Sequence, residues 1–278
     1  MKTVALEKTN MPSSSRRPEM VLVNAQVLSC DPEHPVASEV AVGGGKILRL
    51  GQGLLEDEAL AKGAAVVDCG GGTLVPGFVD AHLHFFSFVD SLLCLNLRPS
   101  NGIRSIKAIQ AALRQEAANT LPGEWIKGKG YNEFYLEEKH HPTRWELDAA
   151  APHHPVKLTH RSHHAHVLNT LALDLLEINC SSPDPPEGII DRDPATGEPT
   201  GLLFEMGELL ARAVPHWDEK TFTRGVKRAT DQLAAAGVTA FLDASPIADI
   251  SKRQAFQDYK SRGLIPQKIV TMVGRDGL

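Results

Sequence analysis

The residues best suited to chemistry stand together in Leu74-Val75-Pro76-Gly77-Phe78-Val79-Asp80-Ala81-His82-Leu83-His84-Phe85. A Pro-Gly turn leads into an apolar run, and Asp80, His82 and His84 follow at every second position. Side chains alternate faces along a strand, so these three share one face while Ala81, Leu83 and Phe85 take the other. Two imidazoles at i and i+2 can reach one metal ion, and neutral imidazole is a common ligand for zinc and related divalent metals. A lone His-x-His also arises by chance on ordinary strands, so the pair needs its context.

Two further stretches carry titratable groups. Eight of the twelve histidines fall between His140 and His166, without the fixed spacing of a ligand set. Within that stretch, alternation along Pro155 to Asn169 puts His164 on one face with Ser162, His160 and Leu158, near a strand's C-terminal end. Glu205 closes Gly201-Leu202-Leu203-Phe204-Glu205, and the turn residues Asp193-Pro194 and Thr196-Gly197 before it predict a hairpin. Glu205 reads either as a carboxylate facing a helix N-terminus or as an oxygen ligand beside imidazoles. The triple glycine at 70–72 lacks the lysine of a phosphate loop, and no helix signature follows it.

The elements that must position these groups are legible in outline. From Met20 to Cys69 short strands alternate with turns: Met20–Leu28 with a break at Asn24, Ser38–Val42, Lys46–Leu50 after a glycine turn, and Ala64–Asp68. Ser105 to Asn119 sets Ile106, Ile109, Leu113 and Ala117 at helical spacing. Trp125–Asn132 reads as a strand ending in a glycine-rich loop, and a short helix starts at Pro142–Asp148. Asp218 caps the best-formed helix, with Phe222, Val226, Ala229, Leu233 and Ala236 on one face and Gly237 at its end. The strand Val238–Asp243, the helix Ser251–Arg262 and the strand Ile265–Val273 follow, an alternation typical of parallel βα units. Asp243 reads as a rim residue or a loop cap, and Lys268 lies too early in its strand for a metal-bridging role.

Composition sets the broad class. With 42% hydrophobic and 23% charged residues, the 278-residue chain has the make-up of a soluble globular protein. A net charge of -5 and a pI near 6.2 give no electrostatic reason to expect nucleic acid or an anionic membrane as partner. Cys30, Cys69, Cys94 and Cys180 are scattered, as free thiols in a reducing compartment are, which favours the cytoplasm. Residues 1–19 read as a disordered polar leader without the apolar core of a secretory signal.

Val75-Pro76-Gly77-Phe78-Val79-Asp80-Ala81-His82-x-His84 resembles the first barrel strand of the amidohydrolase superfamily. His164-x4-Asn169-x2-Ala172-Leu173, and the turn from Asp193 through Gly197-Glu198-Pro199-x-Gly201 to Glu205, resemble its amidohydrolase-3 (YtcJ-like) branch. One departure is plain: Tyr131-Asn132 stands where that branch often has Trp-Asp. The resemblance implies an α/β fold, a small β-sandwich portion over 20–73 and, over 74–278, the first half of a (β/α)8 barrel of about four strands, with an insertion. It implies a divalent metal, zinc first, held by His82 and His84 with Glu205 as third or bridging ligand. His164 would have a catalytic, polarising role and Asn169 a substrate contact. The reaction would be hydrolysis of a non-peptide carbon–nitrogen bond in a small molecule by metal-activated water. In the family, two further histidines and a general-base aspartate come from later strands, so the resemblance covers the front half of the expected protein and implies little turnover by this chain alone. The rival reading is a non-catalytic binding or assembly protein. Open strand edges in a half barrel would favour pairing with another chain, including a second copy.

Overall fold

The computed structural model describes residues 17–32, 36–57, 62–245 and 250–272. Most of the expected leader, through residue 16, lies outside the described residues; Glu19, within the expected leader, is ordered, its N–H donating to the Val42 carbonyl at 2.8 Å. The chain divides into two compact units, Met1–Phe78 and Val79–Leu278.

In the first unit, strands β1 (Met20–Val23), β2 (Gln26–Val27), β3 (Glu39–Gly43), β4 (Lys46–Gly51), β5 (Ala65–Asp68) and β6 (Thr73–Leu74) form a four-stranded sheet, β4-β3-β1-β5, and a two-stranded one, β2-β6. Asn24, at φ 52°, makes the expected break between β1 and β2. Gly44 and Gly45, at φ 55° and 69°, turn β3 into β4, the left-handed pair that a two-residue hairpin requires. Val21, Ala41 and Leu54 are buried together, as are Ala25, Val27, Ala37 and Val40.

The second unit holds β7 (Phe78–Leu83), α1 (Phe85–Leu93), β8 (Leu95–Asn96), α2 (Ile106–Ala117), β9 (Ile126–Tyr131), α3 (Arg144–Asp148), β10 (Val156–His160), β11 (Ala165–Leu168), α4 (Thr170–Leu175), β12 (Ile189–Arg192), β13 (Pro199–Phe204), α5 (Gly207–Ala213), α6 (Glu219–Ala235), β14 (Val238–Asp243), α7 (Ile250–Ser261) and β15 (Lys268–Thr271). Local signals placed α2, α3, α6 and α7, but not α1 or α4. Ser105 caps α2 by accepting Ala108 N–H, Asp218 caps α6 by accepting Thr221 N–H, and Gly237, at φ 76°, ends it.

Strand partnership differs from the expectation. The histidine-bearing β7 shares a three-stranded sheet, β15-β14-β7, only with the two last strands. The strands between build a separate six-stranded sheet, β12-β13-β11-β10-β9-β8. In it β8, β9 and β10 run parallel, while β11 and β13 are antiparallel to their neighbours. Trp125–Asn132 and Pro155–Asn169 therefore do not continue the sheet that β7 begins. Pro155–Asn169 is moreover not one strand: the chain reverses after His160, and β10 and β11 pair as a hairpin. The turn interrupts the alternation that put His164 in phase with His160.

Two cores hold the histidine strand and the six-stranded sheet. Around β7 and β14, Phe85, Val89, Val226, Ala229, Phe241, Phe256 and Ile265 are buried together, with Phe85 stacked on Phe241 at 5.0 Å. Helices α1 and α6 approach closely at Gly225, where a Cβ would stand 2.9 Å from the side chains of Leu93 and Val89. Burying a side chain the size of phenylalanine contributes about 1.5–3 kcal/mol. Phe85 follows His84 directly, so this core fixes where β7 ends. Ile109, Leu113, Ile126, Leu147, Leu158 and Val167 bury the other sheet against α2 and α3.

Candidate metal-binding and catalytic site

His82 and His84 lie at the end of β7, exposed, with ring centroids 5.1 Å apart and planes at 84°. Two imidazoles on one tetrahedral zinc, at about 2.0–2.1 Å per Zn–N bond, would have centroids about 5 Å apart. In donor type and spacing the pair therefore fits a borderline divalent metal. Asp80, the third residue of the predicted face, accepts His82 N–H through Oδ1 at 3.0 Å and stiffens the strand locally.

The strand end is pinned from a distance. His84 occupies the N-cap of α1 but makes no capping bond with its side chain. Asp243, at the end of β14 and 2% exposed, takes that role: Oδ2 accepts Phe85 N–H at 2.9 Å and Oδ1 accepts Ser245 N–H at 3.0 Å. Of the two expectations for Asp243, the cap is the one seen, and it caps the helix that follows the histidines. Sequence reasoning had no signal for this pairing, since the partners are 158 residues apart.

His164 and Glu205 meet each other. His164 Nδ1 lies 2.9 and 3.0 Å from the two carboxylate oxygens, and Glu205 N–H donates to the His164 carbonyl at 2.8 Å. A carboxylate only accepts, so the proton between the two groups sits on Nδ1. Glu205 adopts φ 53° and neighbouring His163 φ 65°, left-handed conformations uncommon outside glycine. Glu205 precedes α5 and is not in its first turn, so its carboxylate serves the histidine and not the helix dipole. Among the described residues no three His, Cys, Asp or Glu side chains converge as a metal-ligand group, so the set His82, His84 and Glu205 is not assembled here. The physical reason is that Glu205 follows β13 of the six-stranded sheet, whereas the histidines sit on β7 of the other.

Asn169 is also corrected. It is fully buried; Oδ1 accepts Val156 N–H at 2.8 Å and Ala172 N–H at 3.1 Å, and Nδ2 donates to the His154 and Ala151 carbonyls at 2.9 and 3.4 Å. Its donors and acceptor are committed to capping α4 and tying β10 to the preceding loop, which leaves nothing for a substrate.

Other histidines form structure that spacing did not reveal. His166 is buried, its Nδ1 lies 3.2 Å from Thr159 Oγ1 and its Nε2 has no hydrogen-bond partner. Burial, then Lys157, His163 and Lys129, push its pKa down to about 3, so it is neutral. It borders a cavity of about 270 Å³ shared with Asp90, Cys94, Lys127, Lys129 and Lys157. Burial alone would raise the Asp90 carboxyl, but Lys129, against which it lies, the Trp217 indole N–H at 2.6 Å and Lys127 hold it below the usual range. Tyr131 and His141 share a 2.9 Å hydrogen bond, and Glu133 lies 2.8 Å from His160 Nε2, off the hydrogen-bonding direction. Burial holds both His141 and His160 below the ordinary histidine pKa, with Glu133 opposing.

Comparison with known proteins agrees with this architecture. The N-substituted formamide deformylase of Arthrobacter pascens is 31% identical over 266 residues, spanning 93% of this chain and 48% of that protein. The YtcJ protein of Bacillus subtilis is 36% identical over 167 residues, 58% of this chain and 31% of its own length. A crystal structure of an uncharacterised metal-dependent hydrolase from Pyrococcus horikoshii OT3 shares the fold with a TM-score of 0.64 at 24% identity, over 91% of this chain and 48% of that one. The chain thus spans about half the length, or less, of the relatives it matches. The model of the amidohydrolase family, Amidohydro_3, matches residues 65–268, well over half of the sequence, and this chain belongs to that family, in its amidohydrolase-3 branch.

Proposed function

We propose that this chain is the metal-binding portion of a metal-dependent hydrolase of non-peptide carbon–nitrogen bonds in small molecules. The observation that carries the reading is the paired, exposed imidazoles of His82 and His84 at 5.1 Å, on a strand whose end Asp243 pins. These two residues would hold the ion, and zinc is a common partner of imidazole donors. A divalent metal there supplies Lewis acidity that draws the pKa of water toward about 7. Asp243 keeps the two rings in register by fixing the first turn of α1. His164, oriented by Glu205 through Nδ1, has Nε2 as the ring atom left to hydrogen-bond a bound substrate. In this reading β7, β14 and β15 are opening strands of a (β/α)8 barrel, and β1–β6 belong to a β-sandwich. Four free thiols agree with a cytoplasmic setting. The deformylase relative makes N-substituted formamides the first substrates to assay.

The test is elemental analysis of the folded chain after equilibration with zinc, wild type against His82→Ala/His84→Ala, with formamide hydrolysis followed in parallel. About one ion per chain, lost in the double variant, is the expected result. A folded wild type that retains no ion would overturn the metal assignment. The absence of a third convergent ligand among the described residues favours one alternative, a metal-binding protein without turnover. Metal retained with no hydrolysis of any amide would select it.

A further inference from the structure

A second cavity in the same unit, of about 530 Å³, opens where β8, β9 and β10 end, and the groups around it share one sign. Arg98 stands two residues beyond β8, Arg161 directly beyond β10, and Arg104 follows the Pro99–Asn101 turn. Lys129 adds a fourth cation; His163, whose pKa burial and Lys129 lower, also lines the cavity, and no aspartate or glutamate borders it. Asp90 neutralises Lys129 from behind. The guanidiniums of Arg98, Arg104 and Arg161 have no ion-pair or hydrogen-bond partner among the described residues, although the chain carries an excess of acid, with net charge -5. All three arginines are exposed, and in a chain with 34 acidic residues their guanidiniums gather around one concavity without an acidic partner among the described residues.

Backbone hydrogen bonds fix this arrangement. Leu97 N–H donates to the Lys129 carbonyl at 2.9 Å and Arg161 N–H to the Tyr131 carbonyl at 3.0 Å, so the segments leaving β8 and β10 are both tied to β9. Glu137 N–H donates to the Arg104 carbonyl at 2.8 Å. Gly130, at φ 94°, lets the Arg98 side chain lie across the strand end: a Cβ there would stand 2.7 Å from Arg98 Cγ. The C-terminal edge of adjacent parallel strands is also where open α/β sheets receive their ligands. Planar guanidinium groups bind carboxylate and phosphate oxygens in a bidentate manner.

We propose that this pocket binds a small, multiply charged oxyanion, a phosphate ester or a polycarboxylate, through Arg98, Arg104 and Arg161. Neither His82 nor His84 lines this pocket, and anion binding there needs no metal, so its failure and that of the hydrolase reading are distinguishable. The test is calorimetric titration of the metal-free full chain with pyrophosphate and with propane-1,2,3-tricarboxylate at low salt. Arg98→Ala/Arg161→Ala is the site variant. Lys220→Ala/Arg224→Ala, on exposed α6 positions away from the pocket, removes the same charge as a control. One anion should bind the wild type at about millimolar Kd or tighter, weakening with added salt. The site variant should bind it at least tenfold more weakly, and the control within twofold of wild type. Tighter binding of pyrophosphate points to a phosphate-bearing ligand, and tighter binding of the tricarboxylate to a carboxylate-bearing one. No measurable binding of either anion overturns the proposal, as does an equal loss in the control.

Discussion

Asp243→Ala removes the carboxylate that caps α1 from outside the helix. Two hydrogen bonds to a charged group are lost, to Phe85 N–H at 2.9 Å and Ser245 N–H at 3.0 Å. Each such bond contributes about 1.5–3 kcal/mol, and the favourable placement of a negative charge at a helix start adds about 0.3–1 kcal/mol. Phe85 is fully buried and the His84 side chain makes no cap bond, so the freed N–H gains little from water. The bonds share one carboxylate and are not additive, so the expected loss is about 3–5 kcal/mol. Asp243→Asn keeps one accepting oxygen and should cost about half as much. Urea unfolding measures both: the midpoint falls while the slope, which reports exposed surface, stays the same. The slackened start of α1 should also lower zinc retention by His82 and His84. A loss below about 1 kcal/mol for Asp243→Ala would refute the claim that this carboxylate holds the histidine strand in place.

Acid should destabilise the protein through His166. Its folded pKa, about 3, lies below the ordinary imidazole value of 6.5, so the unfolded chain takes up the proton first. The stability it confers is full above pH 6.5 and is lost progressively as pH falls toward 3, by about 2 kcal/mol at pH 5. Urea midpoints at pH 7.5 and 5 should differ less by about that amount in His166→Gln, and an unchanged difference would contradict the buried neutral imidazole. Cys94, buried and pushed up to about 12 by burial and by Asp90, should resist alkylation at pH 8 in the native protein, while exposed Cys30 and Cys180 react; peptide mass spectrometry reads this directly. Glu205→Gly relieves a left-handed backbone and loses only an exposed ion pair, so it should be neutral or stabilising by up to about 1 kcal/mol in thermal unfolding. A clear destabilisation would mean that the pair with His164 holds the fold.

What the sequence by itself determined is local. Alternation along β7 put His82 and His84 on one face, helical spacing with Ser105 and Asp218 as caps located α2 and α6, and glycines at 44 and 45 announced the β3–β4 hairpin. Each of these features is set by residues within one or two turns of one another, whose preferences act whatever the rest of the chain does. Tertiary structure alone decided which of these pieces meet. Reversal after His160 broke an alternation that reads unbroken in the sequence, because β11 found its partners in antiparallel β10 and β13. That choice brought Glu205 to His164, 41 residues away, and kept it in another sheet from His82 and His84. It also buried Asn169 among backbone groups, and β14 carried Asp243 to the start of α1. A carboxylate or amide satisfies any suitably placed donor, so side-chain type does not name its partner; strand order does, because it is chosen by the burial of whole faces and not by the pair itself.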